Sequence, residues 1–147
     1  MNKIIFCNTA WMDFYKGKFN DKMTGGGKHI EKYGWGAEMF NFKPNNGKYF
    51  GYVRVSKDRQ INLNRLGAKS TDHKLDSIII VWTAKHPSTG GTHIVGWYKN
   101  ATLFRNYQES AKSLKRKWKQ HSFGYCMVAK ISDSKLLSKD ERIIKVP

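Results

Sequence analysis

Acidic residues, cysteines, prolines and long apolar runs are all scarce in this chain of 147 residues. Against 27 Lys and Arg stand only 11 Asp and Glu, a formal net charge of +16, far beyond what solubility asks of a small domain. The two cysteines, Cys7 and Cys126, form no CxxC pair and no Cys/His cluster. Two buried, reduced thiols in an intracellular protein are therefore expected. With 3 prolines and 13 glycines, collagen-like and low-complexity classes are excluded. The longest aliphatic–aromatic run, Ile78-Ile79-Ile80-Val81-Trp82, falls well short of the roughly 20 residues of a membrane span. The apolar stretch after Lys3 ends at Asn8, too early for a signal-peptide core. These absences predict a soluble, cytoplasmic protein with no membrane partner.

What the chain does have is aromatic mass. Eight Phe, five Trp and seven Tyr exclude a disordered basic tail, which would be poor in such residues. The length suffices for one core without metal or disulfide staples, and no repeat or linker divides it. One domain spanning residues 1–147 is expected.

Residues 3–7 (KIIFC) read as a buried strand, and the aromatic-rich residues 8–18 as a functional loop or short helix. Thr24-Gly25-Gly26-Gly27 is a break, followed by a helical turn or two over residues 28–33. Strands are predicted over 39–42 and 48–55, parted by the turn Pro44-Asn45-Asn46-Gly47. The clearest element is a hairpin of residues 78–84 and 92–98 around His86-Pro87-Ser88-Thr89-Gly90-Gly91. Strand continues over 101–107; residues 108–120 are helix or loop; 123–131 form a late strand; 138–142 form a helical turn capped by Ser138. At least five strands with little helix predict a closed or nearly closed β structure.

Catalytic patterns are weak. Asp72-x-Lys74 and Asp133-x-Lys135 match half of a nuclease motif, but with 11 acids and 21 lysines in 147 residues about 1.6 such matches arise by chance. His29, His73, His86, His93 and His121 lack zinc spacings. Gly25-Gly26-Gly27-Lys28 is followed by His29 where a phosphate loop needs Ser or Thr. No catalytic residue, metal or cofactor is expected, although carboxylates that meet only in three dimensions would escape this test.

Charge patterning is more informative. Lys112, Lys115, Arg116, Lys117 and Lys119 place five cations in eight residues, with Lys99 and Arg105 upstream and only Glu109 negative between 99 and 119. Such a run is often a solvated face, but with +16 overall it points to a polyanion, and no long apolar helical face accompanies it to favour a membrane. Trp11, Trp35, Trp82 and Trp97 lie in separate segments, Trp35 between Gly34 and Gly36, and Trp97 ahead of Tyr98-Lys99-Asn100. Glycines admit close approach, Asn pairs with base edges, and each stacked base contributes about 1–3 kcal/mol. Two aromatic faces plus an edge contact offset the few kcal/mol that base extrusion requires. Core packing is the competing role for every one of these tryptophans, and for Trp82, inside an aliphatic strand, above all.

The run Val81-Trp82-Thr83-Ala84-Lys85-His86-Pro87, continued by Gly91-Thr92-His93-Ile94-Val95-Gly96-Trp97-Tyr98-Lys99-Asn100-Ala101-Thr102, resembles a segment of EVE/YTH-like domains of the PUA-like superfamily. Asn8-Thr9-Ala10-Trp11-Met12 with Tyr15-Lys16-Gly17, the triple glycine, Asn41-Phe42 and the closing Leu136-Leu137, Asp140-Glu141-Arg142 and Val146-Pro147 are similar to the same group. The likeness spans nearly the whole chain and departs at Ser138, where the group's closing pattern has proline. It implies an α+β, PUA-like pseudo-barrel of five to six strands with short flanking helices. It further implies a non-catalytic reader that flips a modified base, a modified cytosine first of all, out of double-stranded DNA and serves restriction or defence against foreign DNA. Such domains are commonly fused to an HNH nuclease; none follows Pro147, so a free-standing reader and a fragment of a fusion both stay open. The cage would comprise Trp11 and either Trp82 or Trp97, with Trp35 a third wall and Tyr98 beside them. Asn8 and Asn100 would read the base edge. Lys16, Lys18, Lys99, Arg105, Lys112, Lys115, Arg116, Lys117 and Lys119 would grip phosphates. PUA-like folds also bind RNA, which leaves an accessory role in RNA modification or processing as the alternative.

Overall fold

Two long strands frame the molecule, and their length follows from sequence: β-branched and aromatic residues dominate both sides of a Pro- and Gly-containing turn. The computed structural model describes residues 3–27, 32, 34, 36–54, 60–111 and 114–147. Its strands are β1 (Lys3–Asn8), β2 (Lys48–Gly51), β3 (Lys74–Lys85), β4 (Thr92–Gln108), β5 (Lys117–Trp118), β6 (His121–Ser122), β7 (Tyr125–Lys130), β8 (Ser134–Leu136) and β9 (Lys145–Val146). Among the described residues Lys32 is helical, and short 3₁₀ turns include Ala37–Phe40, Leu63–Leu66 and Lys139–Glu141. The architecture is thus a mixed, sheet-rich α+β fold.

The main sheet runs in the order β1-β3-β4-β7-β2, with β1 parallel to β3 and the other neighbours antiparallel. Irregularities in the β3–β4 ladder at Leu75/Ile78, Ile78/Ile80 and Trp82/Thr83 bend the pair, as bulges do. Ser77 and Asn100 absorb that bend at φ of 59° and 49°. Away from β3, β4 meets three partners in succession: β9 at Thr92–His93, β8 at Gly96–Tyr98 and β7 from Thr102 onward. A curled sheet results, whose terminal strands β1 and β2 do not pair with each other among the described residues.

Alternation along the strands sends Cys7, Ile78, Ile80, Trp82, Val95, Tyr98 and Leu103 into the core. Tyr98 is its hub. It contacts Phe42 and Trp82 edge-on at 5.4 Å each and stacks on Tyr49 at 6.0 Å, while its hydroxyl donates to the Asn41 carbonyl. Gly51 must lack a side chain here, since a Cβ would sit 2.9 Å from both Trp82 Cζ2 and Met127 Cγ. Cys7 and Cys126 are free and buried, and burial pushes the Cys126 thiol up to about 12.

Several sequence expectations change. Residues 39–42 do not form a strand: Ala37–Phe40 is a 3₁₀ turn. The Asn41 side chain accepts from Tyr52 N–H at 2.8 Å and donates to Tyr52 O at 3.3 Å, supplying the pairing a strand would have given. The second strand stops at Gly51 rather than 55. Residues 108–120 end in a two-residue strand of a small ribbon, β5 with β6. The helical turn expected at 28–33 lies, apart from Lys32, outside the described residues. The turn near 138–142 is present, with Ser138 and Glu141 forming a capping box.

Arg116 corrects a larger expectation. It lies in the basic run yet is 2% exposed, and its guanidinium donates to the carbonyls of Phe50 (2.7 Å), Gly124 (3.0 Å), Phe40, Phe123 and Ala37. It fastens β2, the Phe123-Gly124 lead into β7 and the 37–40 turn to one another and has no donor to spare for a phosphate. Arg116→Ala should therefore lower the unfolding free energy by on the order of 3 kcal/mol, because several carbonyls lose a charged donor at once. Lys117→Ala, at an exposed neighbour, should change it by about 0.5 kcal/mol or less. Urea denaturation of the two variants checks this, and equal losses would refute it.

Candidate functional site

Among the described residues β1 pairs with β3 alone, so half of its backbone groups have no ladder partner there. Thr9 N–H donates to Thr83 O on the β3 side, so the alternating residues Phe6, Asn8 and Ala10 turn their N–H and C=O the other way. Facing that edge is the chain after β2, together with residues 60–62. Between them lies a cleft of about 750 Å³, within the usual range for ligand sites. Its walls include Phe6, Asn8, Glu38, Arg54, Gln60 and Lys85, and the backbone of the triple glycine, Gly25 to Gly27.

Glu38 is the unexpected member. The 3₁₀ turn carries it inward to 7% exposure. There its carboxyl accepts from Thr9 Oγ1 at 3.2 Å and from Ala10 N–H on the open edge of β1. Burial dominates these bonds and the nearby charge of Arg54, pushing the acid up to about 7.

The loop between Trp11 and Thr24, here the mouth loop, runs directly into the triple glycine of the cleft wall. Its base is closed by paired backbone bonds between those two residues, at 2.9 and 3.0 Å, immediately before Gly25. Asp21, buried, accepts from the N–H groups of Asp13 (2.7 Å), Phe14 (2.7 Å) and Tyr15 (3.0 Å), which pre-forms the loop. Gly17 N–H binds Met39 O, tying the loop to the turn that bears Glu38. Phe14 and Phe19 are left 58% and 88% exposed among Lys16, Lys18 and Lys22.

The residues anticipated from sequence are dispersed by this geometry. Asn8 lines the cleft. Trp82 and Tyr98 are fully buried in the core and have no face open to a base, which corrects their place in a cage. Trp11 is 6% exposed and packed against the Arg142 guanidinium at 4.7 Å and His86 at 4.8 Å, a packing role rather than an open wall. Trp97 is half-buried on the outer face of the sheet, in one row with Phe6 and Val81. Asn100 is exposed on the bend of β4. Trp35 and Lys112 lie outside the described residues.

Among the cations, Lys16, Lys99, Lys115, Lys117 and Lys119 are exposed. Lys18 lies over the Trp118 ring at 5.7 Å, joining the loop to the β5–β6 ribbon. Arg105, like Arg116, is occupied internally: it donates to the carbonyls of Asp72 (2.8 Å) and Lys69 (2.9 Å) and to Asn64 Oδ1 (2.9 Å). Sequence reasoning missed Glu38, Arg54, Gln60 and Lys85. Only the triple glycine and the end of the hairpin carried any signal for this region.

Among the described residues no three His, Cys, Asp or Glu side chains converge as a metal site, and no helix is long and apolar enough to cross a membrane. In comparisons with protein-family models, curated proteins and solved structures, nothing matches the chain.

The buried acid has a measurable consequence for stability. A carboxyl whose folded value rises from 4.5 to about 7 binds its proton more tightly in the folded state. Its favourable contribution is complete below pH 4.5 and is lost as pH rises through 7. Glu38→Gln, neutral at every pH, should therefore raise the melting temperature at pH 8 relative to the parent and give little gain at pH 5. Thermal melts across that range check it; a pH-independent difference would refute it.

Proposed function

We propose that this protein binds nucleic acid and holds a single extruded base in the cleft between the open edge of β1 and the chain beyond β2. One observation carries the reading: exposed lysines far outnumber exposed acids among the described residues, on a molecule whose polar cleft lies along the edge of β1 turned away from β3. The +16 charge is little offset at the surface. Asp21 and Glu38 are buried, and Asp72, Asp76 and Glu141 accept from Lys69 N–H, Thr102 Oγ1 and Ser138 respectively. The ion pair of Lys139 with Asp13 (3.4 Å) joins the C-terminal turn to the loop instead of neutralising the ribbon.

Within this reading, Lys115, Lys117 and Lys119 on and beside the ribbon, together with Lys16 and Lys99, meet phosphates. The mouth loop places Phe14 and Phe19 where a base has left the stack, as apolar wedges do in deformed duplexes. Phe6 at the cleft wall offers an aromatic face, and Asn8 and the free groups of β1 offer edge contacts. The finer proposal is a PUA-like, EVE/YTH-like reader of a modified base in double-stranded DNA, a modified cytosine first, acting in defence against modified foreign DNA beside a nuclease partner. Its support is the resemblance of residues 81–102. A panel of matched DNA and RNA duplexes, with and without modified bases, tests that assignment; preference for RNA would move the protein to RNA modification or processing.

Duplex binding should weaken steeply with salt, by about 0.9 in log–log slope for each phosphate contact. Replacing Lys115, Lys117 and Lys119 together with Ala should flatten the slope without lowering stability. A salt-independent affinity, or an unchanged slope in the variant, would refute the phosphate assignment.

Phe19→Ala should weaken duplex binding by about tenfold, the scale of one lost stacking contact, while leaving the salt slope unchanged. Parent-like affinity, or binding of anionic lipid vesicles that disappears with Phe19, would remove the wedge.

A further inference from the structure

Inside the cleft stand charges that hydrogen bonding to a base does not require. Among the described residues, Glu38, Arg54 and Lys85 are the charged side chains on its walls. Glu38 is engaged, its carboxyl accepting from Thr9 Oγ1 and Ala10 N–H. Arg54 is exposed, and no described residue accepts from its guanidinium or forms an ion pair with it. In this it differs from Arg105, Arg116 and Arg142, whose guanidinium groups are taken up by carbonyls. Lys85, the last residue of β3, is exposed as well.

The triple glycine lies against that free guanidinium. Gly25, Gly26 and Gly27 stand at φ of 75°, 85° and 104°, in the left-handed region that side chains resist. Packing does not account for the first of them, since a Cβ at Gly25 would meet nothing within 4 Å. A Cβ at Gly27 would stand 3.5 Å from Arg54 Nη1, which places the guanidinium in contact with the turn. No described residue accepts from the three N–H groups. Successive free N–H groups in a turn form a concavity for anions, and a guanidinium adds a planar fork matched to two phosphate oxygens. The paired backbone bonds between Trp11 and Thr24 anchor the turn at its start.

Resting on the proposed function, we propose that Arg54 and the triple glycine form a phosphate subsite inside the cleft, which holds the phosphodiester of the extruded nucleotide, with Lys85 adding positive charge. The phosphomonoester of a free nucleotide has the same oxyanion chemistry. Phosphate oxygens accept from the backbone N–H groups and from the guanidinium, and no covalent bond forms or breaks. Glu38 opposes an anion here, but its carboxyl is 7% exposed and bonded to Thr9 and Ala10, and two cations outnumber it. The contact differs in kind from those of the ribbon lysines. They meet the outer backbone of any duplex, whereas the subsite is reached only once a nucleotide has left the stack.

The test is fluorescence anisotropy over a range of salt with two DNA duplexes, one fully paired and one with a single mispaired cytosine, whose extrusion costs less. Arg54→Met keeps the apolar stem of an exposed side chain and should leave the melting temperature unchanged. It should weaken binding of the mispaired duplex about tenfold, the scale of one charge-assisted hydrogen bond. It should also lower that duplex's log–log salt slope by about 0.9, one phosphate, with little change for the paired duplex. Arg54→Lys should keep the slope and lose part of the affinity, because the charge stays and the fork goes. Parent-like affinity and slope in Arg54→Met, or an equal loss on both duplexes, would overturn the inference and leave the proposed function standing. A calorimetric arm titrates deoxycytidine 5′-monophosphate and deoxycytidine at equal ionic strength. The monophosphate should bind the parent more tightly than the nucleoside, and Arg54→Met should remove the difference; equal binding to the parent would overturn the subsite. If the parent binds no duplex in a salt-dependent way, the proposed function falls. Monophosphate binding that Arg54→Met abolishes would then keep the subsite as one for free nucleotides, and its absence would overturn both.

Discussion

The edge of β1 that no described residue pairs with is the constraint on which the rest of the molecule turns. A sheet that curls until its ends nearly meet must either complete the last ladder or leave a row of backbone donors and acceptors exposed. Here β1 ends one side of the sheet and β2 the other, and β2 stops at Gly51. Val53 and Arg54, just beyond it, line the gap without pairing across it. Closure would have filled the space with hydrogen bonds; non-closure leaves a cleft whose polar groups are fixed by the strand that carries them. Rigid backbone donors suit recognition better than mobile side chains, since little ordering entropy is lost on binding.

Keeping such a gap open without collapse requires bracing around it. Two buried arginines provide it, each by several bonds to carbonyls. Arg116 ties β2 and the Phe123-Gly124 lead into β7 to the turn that bears Glu38. Arg142 reaches the carbonyls of Leu137, Met12 and Asp13, and so clamps the C-terminal segment onto the start of the mouth loop. A guanidinium can satisfy carbonyls diverging from one point, which an ammonium group cannot do with the same geometry. The buried bracing thus uses arginine, whereas the exposed cations of the run at 115–119 are lysine.

That division explains what was legible in the sequence. The β3–β4 hairpin was plain, because β-branched runs flank a turn in which Ser88 and Thr89 N–H both donate to His86 Nδ1. The capped turn at Ser138 was plain for the same local reason. Residues 39–42 misled, since an apolar run fits strand or turn equally, and what decides is Asn41 bonding to Tyr52 eleven residues on. Arg116 and Trp82 misled for a further reason. Charge patterning and aromatic flanking carry no information about which side of the chain faces inward, and a bulge between Trp82 and Thr83 shifts that phase. Glu38 had no local signature at all; its burial arises from a parallel strand and a turn thirty residues apart in sequence.

The acids complete the electrostatic argument. A net +16 can be locally neutralised only if its acids lie beside its lysines, and Asp21, Glu38, Asp72, Asp76 and Glu141 bond to N–H and O–H groups instead. Asp21 organises the mouth loop through three N–H groups, and Glu38 sits behind β1. Each acid so employed fixes backbone and leaves a surface cation without a partner. At physiological ionic strength the field of exposed charges decays over about 8 Å, so the lysines of the ribbon and the mouth loop, joined through Lys18 over Trp118, act as one local patch. Such a patch attracts any polyanion with little discrimination. In the proposed reading, selectivity then comes from the hydrogen-bonding groups of the cleft at the edge of β1, where Asn8 and Gln60 line the walls with the cations Arg54 and Lys85.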